Sequence, residues 1–230
     1  MALQIGSSPS LPAKRNHPRC APSSRRVSFW FAAMAFGVAA LTLIPVSNAW
    51  AEDGAAVLSR VLRASGLDHL SEKKRIAFTF HVEAGENKVQ RAWEWNLETD
   101  TVRQDGAEVG KTPKFINDVY WLLFPAMVGW DRDKVEFTAE PSVDGPLTQQ
   151  TVTKLTAKYV DGGGATPNDM YELYVAGNGD VVEWAYHKAG AVEPTRQTAW
   201  TGYEVIGGLR LSLDRPGDGF RVWFTDVVVE

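Results

Sequence analysis

Residues 117–125 read Asn117-Asp118-Val119-Tyr120-Trp121-Leu122-Leu123-Phe124-Pro125. The segment is rich in large apolar side chains, and the sequence on both sides of it is typical of β-strands. Four apolar residues recur at the spacing of one helix face, and Trp121 widens that face: Tyr120, Leu123, Phe124 and Met127. The segment therefore predicts a short apolar helix within a β-rich chain.

Two residue types suggest where this helix begins and ends. Asn117 or Asp118 can cap its N-terminus through a side-chain oxygen. Pro125 lacks a backbone N–H and restricts the residue before it, so we expect the helix to end or kink near Phe124. Turn-like sequence at 110–113 and 129–131 provides two hinges. We therefore expect a lid over an apolar sheet face rather than a deep structural strut.

The first 51 residues have the three parts of a secretory signal. They hold five of the 24 basic residues and none of the 28 acidic ones. An apolar run from Val27 to Val46 leads to Ala49-Trp50-Ala51, which is a typical cleavage site. We expect cleavage after Ala51 and a mature chain, residues 52–230, that is periplasmic or secreted. The alternative is an uncleaved inner-membrane anchor, because a run of about 20 apolar residues can span a bilayer.

The composition of residues 52–230 excludes several classes of protein. Acidic residues outnumber basic ones there, so a nucleic-acid partner is not expected. Cys20, the one cysteine of the chain, lies in the leader, which leaves no disulfide framework and no thiolate metal site. The length suits a single domain with a sizeable core.

The mature chain alternates between turns and strand-like segments. A helix is predicted at Ala55–Ser65, ending at Gly66. From Ile76 to Val229 the apolar period is two, in about ten segments separated by turn sequences. They include a hairpin over residues 76–97, a glycine break at 162–164, and strands at Met170–Val175, Val181–His187, Thr195–Tyr203 and Phe220–Val229. Long crossovers between strands are absent, which favours antiparallel pairing. The expected fold is mainly β with short helices (α+β): one curved antiparallel sheet, a half-barrel around a helical plug or lid.

Aromatic residues on the predicted strands and helix have two interpretations. They are either hydrophobic core, at about 1.5–3 kcal/mol for each large buried side chain, or the lining of a cleft for an apolar ligand. Hydrophobic core is the commoner explanation of such residues, but two short helices fill a half-open sheet poorly and can leave a cleft, so both interpretations stay open. The predicted ligand-binding residues are Phe78, Phe80, Trp93, Trp95, Tyr120, Trp121, Phe124, Met127 and Trp130.

No catalytic or metal-binding motif emerges from the mature chain. His69, His81 and His187 share no metal-ligand spacing, and the latter two are expected on solvent-facing strand faces. No serine lies in a Gly-x-Ser-x-Gly motif. We therefore predict a protein that is not an enzyme and that has no cofactor and no metal site.

Two stretches carry a resemblance to known proteins. Residues 117–125 are similar to a motif in a group of uncharacterised exported bacterial proteins that are often described as lipoprotein-sorting-like. Trp200-Thr201-Gly202-Tyr203, with Gly207 and Leu209-Arg210-Leu211, is similar to their C-terminal pattern. Ser212 stands where that group often has proline. More broadly, the chain resembles the superfamily of outer-membrane lipoprotein-sorting carriers (LolA/LolB-like).

The resemblance implies a half-barrel that holds lipid or acyl chains under a helical lid, with no enzyme activity and no cofactor. The true carriers hold the closed lid with an arginine, for which Arg91 is one of several candidates here. Our first hypothesis is thus a periplasmic binding module for a lipid or acyl chain. The alternative is a cell-envelope interaction protein with a filled core, whose sheet edge binds a protein partner.

Overall fold

The computed structural model describes residues 53–160 and 168–230. This part of the chain forms two helices and twelve strands, with three short 3-10 segments. The predicted leader at 1–51, its cleavage site and the predicted glycine break at 162–164 lie outside the described residues.

The helices and strands follow one another mostly through short turns. The helices are α1 (Gly54–Ser65) and α2 (Pro113–Trp130). The strands are β1 (Arg75–Ala84), β2 (Asn87–Asn96), β3 (Thr101–Gln104), β4 (Ala107–Glu108), β5 (Val135–Asp144), β6 (Thr151–Tyr159), β7 (Met170–Val175), β8 (Val181–His187), β9 (Arg196–Ala199), β10 (Thr201–Ile206), β11 (Leu209–Gly217) and β12 (Phe220–Val229). The 3-10 segments are Leu67–Glu72, Arg132–Lys134 and Lys188–Gly190.

The strands pair as two antiparallel sheets. One has seven strands in the order β10-β11-β12-β1-β2-β3-β4, and the other has five in the order β5-β6-β7-β8-β9. The predicted class, mainly β with short helices and antiparallel pairing, is confirmed. The expectation of one sheet was wrong. The strand predicted over Thr195–Tyr203 divides at Trp200, so that β9 ends one sheet and β10 begins the edge of the other.

The aromatic face of the seven-stranded sheet has the predicted register. Phe78 pairs with Trp93 across β1 and β2, and Ile76 pairs with Trp95. All four side chains are 5% exposed or less. Phe224 of β12 packs edge-on against Phe78 at 5.9 Å between ring centroids. A slip of one residue would have turned these side chains to solvent.

Helix α2 lies deep in the interior, where we had expected a lid. Phe115, Val119 and Leu122 pack into the core of the seven-stranded sheet. Phe124 and Val128 pack into the core of the five-stranded sheet. Each of these side chains is 2% exposed or less. Because α2 is apolar around much of its circumference, it is buried from both sides.

The predicted start of α2 was wrong, whereas the kink expected near Phe124 is confirmed. The helix begins earlier, where the hydroxyl of Thr112 accepts a hydrogen bond from the Phe115 N–H at 3.3 Å and Pro113 occupies the first turn. It also continues beyond Pro125 to Trp130. The proline instead produces a break at Leu123, whose φ of −117° and ψ of 25° are not helical.

Helix α1 agrees with the prediction. The Asp53 carboxylate accepts a hydrogen bond from the Ala55 N–H at 3.1 Å, and Gly66 ends the helix in the left-handed conformation with a φ of 70°. A Cβ atom at Gly54 would lie 2.7 Å from the backbone of Phe137 in β5, so the start of α1 rests directly on that strand.

Candidate functional site

Two arginines from the seven-stranded sheet reach α2, and they define the candidate site. Arg91 on β2 contacts Asp118 near the start of the helix. Arg215 on β11 contacts the backbone of Trp121 near its kink. These polar contacts lie among the aromatic residues that the sequence predicts to bind an apolar ligand.

The contact between Arg91 and Asp118 is a buried ion pair. Arg91 donates from Nε to Oδ2 of Asp118 at 2.6 Å and from Nη2 to Oδ1 at 2.7 Å. The indole of Trp93 and the side-chain amide of Asn117 donate to the same carboxylate at 2.8 and 3.0 Å. Asp118 is 0% exposed, so these four bonds replace the water that its charge would otherwise require.

Sequence reasoning assigned Asp118 to a helix cap, although the helical spacing carried another signal. Asp118 lies three residues after Phe115 and four before Leu122, which places it on the apolar face of α2. A carboxylate on such a face needs a basic partner from the element that covers it. Arg91, one of the candidate lid arginines, is that partner.

The second contact follows from Pro125. In an unbroken helix, the carbonyl oxygen of Trp121 would accept a hydrogen bond from the N–H of residue 125, and proline has none. Arg215 donates from Nη2 to this oxygen at 3.2 Å. The strand thus satisfies a backbone acceptor that the kink leaves without a helical partner.

Arg215 is 0% exposed, and its guanidinium lies 3.7 Å from the ring centroid of Trp200. Its Nη1 donates to the carbonyl oxygen of Ser212 at 2.7 Å and also to the Ser212 hydroxyl. Burial lowers the pKa of Arg215 to about 9, so the side chain is still cationic at neutral pH. The sequence signal for its burial is alternation, because Arg215 continues the inward-facing series of Leu211 and Leu213.

The predicted ligand-binding residues of the seven-stranded sheet are brought together against α2. Phe115 of the helix packs edge-on against Trp93 and Trp95, at centroid distances of 5.4 and 5.5 Å. Phe78 and Phe80 lie in the same buried cluster. Their position on the inner face agrees with the expectation, and their contact with a ligand stays a prediction.

The predicted residues of α2 divide among three environments. Trp121 is half-buried, and its ring centroid lies 4.8 Å from that of Trp184. Phe124 is buried, and its ring centroid lies 4.8 Å from that of Tyr171. Met127 is half-buried against the core of the seven-stranded sheet. The other two lie near the end of the helix.

Tyr120 and Trp130 are the more polar members of the predicted set. Tyr120 donates from its hydroxyl to Asp131 at 3.3 Å, and burial raises the pKa of this tyrosine. Trp130 is 54% exposed and packs edge-on against Trp95 at 6.4 Å. Trp130 therefore belongs to the surface at the end of α2, not to the interior with the others.

A cavity of about 20 Å³ borders the kink of α2, and its lining includes Leu122, Pro125, Trp200 and Ser212. Such a volume holds one water-sized group. A larger group would enter this region only if α2 moved.

The histidines lie away from this site. His81 is half-buried on the outer face of β1, and its ring stacks on Trp223 at 4.9 Å. His187 was expected to face solvent, which is wrong, because it is 3% exposed. The Lys188–Gly190 turn folds the chain back, so that the carbonyl oxygen of Ala191 lies 2.9 Å from the His187 Nδ1.

Within residues 53–160 and 168–230, no cluster of three or more histidine, cysteine or acidic side chains has a geometry suited to a metal ion. Within the same ranges, no helix combines the length and the apolarity that crossing a membrane requires.

Comparison with known proteins shows a similarity to a solved structure but to no protein family. No family model and no curated protein matches the chain. Among solved structures, the chain is similar to the crystal structure of a DUF1329 family protein from Desulfovibrio piger, with a TM-score of 0.43 and 9% sequence identity. The match covers 77% of this chain and 94% of that one.

Proposed function

We propose that this protein is a non-enzymatic periplasmic binding module that shelters a lipid-like or acyl chain between α2 and the seven-stranded sheet. The observation that carries the proposal is the attachment of α2. The helix lies on an aromatic sheet face, is broken at Leu123, and is joined to the sheet by polar contacts from Arg91 and Arg215. Such a helix can change position at its kink.

An apolar chain could replace the contacts that α2 makes with the sheet. The facing surfaces are aromatic and aliphatic, so an alkyl chain fits them chemically. Burying about 14 methylene groups would contribute on the order of 11 kcal/mol. Opening the Arg91–Asp118 pair would cost roughly 3–5 kcal/mol if both groups stayed buried, and less if α2 carried Asp118 toward water. The alkyl burial would also have to offset the apolar contacts that α2 gives up, at about 1.5–3 kcal/mol for each large side chain.

The sequence resemblance and the leader support the same proposal. The LolA/LolB-like carriers hold a closed lid with an arginine, and both Arg91 and Arg215 have that relation to α2. The signal-like residues 1–51 support delivery to the periplasm or beyond, with the uncleaved inner-membrane anchor as the alternative.

The proposal is tested with protein purified from the periplasm under native conditions. Native mass spectrometry should detect a species heavier than the mature chain by the mass of one lipid or acyl molecule. After removal of that lipid, a fluorescent fatty-acyl probe should bind saturably with one site per chain. Absence of both the extra mass and saturable probe binding would refute the proposal.

The packed interior favours a second candidate, an envelope interaction protein with no small-molecule ligand. The cavity that borders the kink has a volume of about 20 Å³. Within the described residues, β10 pairs on one side only, with β11, and Val205 on it is 67% exposed. An edge of this kind can accept a strand from a partner. Under this alternative, a photo-crosslinker at position 205 should capture one defined envelope protein, and lipid should be absent.

A further inference from the structure

Among the described residues, four arginines bind a carboxylate through the same edge of the guanidinium. In each, Nε and Nη2 donate to the two oxygens of one carboxylate, at 2.6 to 3.2 Å. This edge is planar and matches the spacing of carboxylate oxygens. The four pairs are Arg75 with Glu230, Arg91 with Asp118, Arg210 with Asp180, and Arg221 with Asp214.

Arg215 presents the same edge without a carboxylate. Its Nε has no hydrogen-bond partner among the described residues, and its Nη2 donates only to the carbonyl oxygen of Trp121. In the described part of the chain, no acidic side chain lies within ion-pairing distance of it. Arg215 is nevertheless 0% exposed. The charge of neighbouring Asp214 favours the cation, but that carboxylate is hydrogen-bonded to Arg221. The buried Arg215 guanidinium has therefore lost its water without gaining a carboxylate in direct contact.

An aromatic neighbour of Arg215 also has a donor without a partner. The indole N–H of Trp200, whose ring lies against the guanidinium, has no hydrogen-bond partner among the described residues. The Arg215 Nε–H and the Trp200 indole N–H are thus two buried donors without acceptors, which is the character of an anion site.

We infer that the Nε/Nη2 edge of Arg215 binds the carboxylate of the acyl ligand, so that the preferred ligand is a long-chain fatty acid rather than a neutral lipid. This inference rests on the proposed function. The carboxylate would accept from Nε and would replace the Trp121 carbonyl at Nη2. The alkyl chain would then extend along the aromatic face that α2 now covers.

The geometry requires α2 to shift before the carboxylate can reach this edge. The cavity next to Trp200 and Ser212, about 20 Å³, is too small for a carboxylate with its chain. The Trp121 carbonyl oxygen accepts the hydrogen bond from Nη2, and Trp121 lies two residues before the helix break at Leu123. Movement of α2 at that break would expose Arg215 and would carry the freed carbonyl toward water.

Competition against a bound fluorescent fatty-acyl probe tests the inference on delipidated full-length protein. The competitors are palmitate, hexadecanol and acetate. Palmitate should bind about tenfold or more tightly than hexadecanol, the gain expected when a charged hydrogen-bonded pair is formed. Acetate should bind far more weakly than palmitate, since it lacks the alkyl chain.

Variants of Arg215 test whether this side chain causes the preference for palmitate over hexadecanol. Arg215→Gln should weaken palmitate binding to the level of hexadecanol and leave hexadecanol binding unchanged, while Arg215→Lys should keep part of the preference. Arg103→Gln, at an exposed arginine on β3, is the matched control and should change neither. If Arg215→Gln does not fold, the wild-type side-chain ¹H–¹⁵N spectrum replaces it, and the Arg215 Nε–H resonance should shift on palmitate binding.

The outcomes separate this inference from the proposed function. If palmitate and hexadecanol bind equally, or the Arg215 Nε–H resonance does not shift, the carboxylate site is refuted while lipid binding stands. Acetate binding as tightly as palmitate would refute the acyl ligand and leave a small-anion site. If neither long-chain competitor nor the probe binds, the proposed function itself fails.

Discussion

Arg215 on β11 donates a hydrogen bond to the carbonyl oxygen of Trp121 on α2, at 3.2 Å. This oxygen lacks its helical donor because Pro125 follows four residues later. The kink in the helix and the burial of an arginine in the sheet are therefore parts of one arrangement. The Trp121 carbonyl would be a buried acceptor without a donor if Arg215 were absent, and the Arg215 guanidinium would lose one of its few acceptors if the helix were unbroken.

The first prediction follows from this pair. Pro125→Ala restores an N–H that can reach the Trp121 oxygen within the helix, so Arg215 should become less important. Arg215→Gln should cost roughly 1–3 kcal/mol of unfolding free energy in the wild type, and measurably less in the Pro125→Ala background. Urea unfolding of the four proteins in this cycle gives the coupling. Pro141→Ala, on the other sheet, is the control and should be additive with Arg215→Gln.

The second prediction concerns the ion pair that joins α2 to β2. Asp118→Ala removes the carboxylate partner of Arg91 and leaves a mostly buried positive charge unpaired. This change should lower the free energy of unfolding by roughly 3–5 kcal/mol. Glu230→Ala removes the carboxylate of an equally bidentate but exposed pair with Arg75 and should cost much less. Equal midpoints for the two variants in urea would show that burial of Asp118 has no energetic consequence.

Much of the β-structure could be predicted from the sequence, because apolar alternation and turn residues are local signals. The bounds predicted for β7, β8 and β12 match the structure, and the hairpin of β1 and β2 has the expected register. These strands have one apolar face and clear Gly-containing turns. Local pattern was sufficient there.

The division into two sheets could not be predicted, because it depends on long-range packing. Residues 195–203 alternate as one strand would, yet the N–H of Trp200 bonds to the carbonyl oxygen of Val182 and the chain changes sheet there. Likewise, Pro125 indicates a break but not whether burial continues the helix beyond it.

The candidate site was predictable only in its apolar part. Aromatic residues on one strand face are visible in the sequence, whereas the partners of Arg91 and Arg215 lie 27 and 94 positions away. An arginine in an alternating apolar series is a signal for burial, but its acceptor is a backbone oxygen freed by a distant proline. No local pattern specifies that contact.

The third prediction is a dependence of stability on pH. Hydrogen bonds from Arg210 hold the pKa of Asp180 below its usual value. Because the folded-state pKa lies below the unfolded value of about 3.9, the pair stabilises the fold above that pH, and this contribution is lost as pH falls through the folded-state pKa. The destabilisation caused by Asp180→Asn, measured in urea, should therefore shrink below about pH 4. Arg210→Gln should show the same trend, and a constant difference down to pH 2 would contradict it.

The fourth prediction is export with removal of the leader. The basic start, the apolar run and Ala49-Trp50-Ala51 should direct cleavage after Ala51. N-terminal sequencing of the exported form should begin at Glu52. A full-length species found only in the inner membrane would support the anchor instead.

The fifth prediction ranks three tryptophans by the stability that each contributes. Trp93 is 2% exposed, and its indole N–H donates to Asp118. Trp93→Ala should therefore lower the free energy of unfolding by roughly 3–5 kcal/mol. Trp121 is half-buried between the two sheets, so Trp121→Ala should cost less, and Trp130→Ala, at a residue 54% exposed, should cost least. Urea midpoints at fixed pH give the order.

The same three variants distinguish core from ligand contact. Trp121 touches both Trp184 and Phe220, at centroid distances of 4.8 and 5.6 Å, so it lies where a chain between α2 and the sheets would pass. Trp121→Ala should then weaken binding of the fluorescent acyl probe while the protein stays folded, and Trp130→Ala should leave that binding nearly unchanged. If Trp121→Ala destabilises the fold as much as Trp93→Ala does, Trp121 is a core residue, and ligand contact at α2 loses its main support.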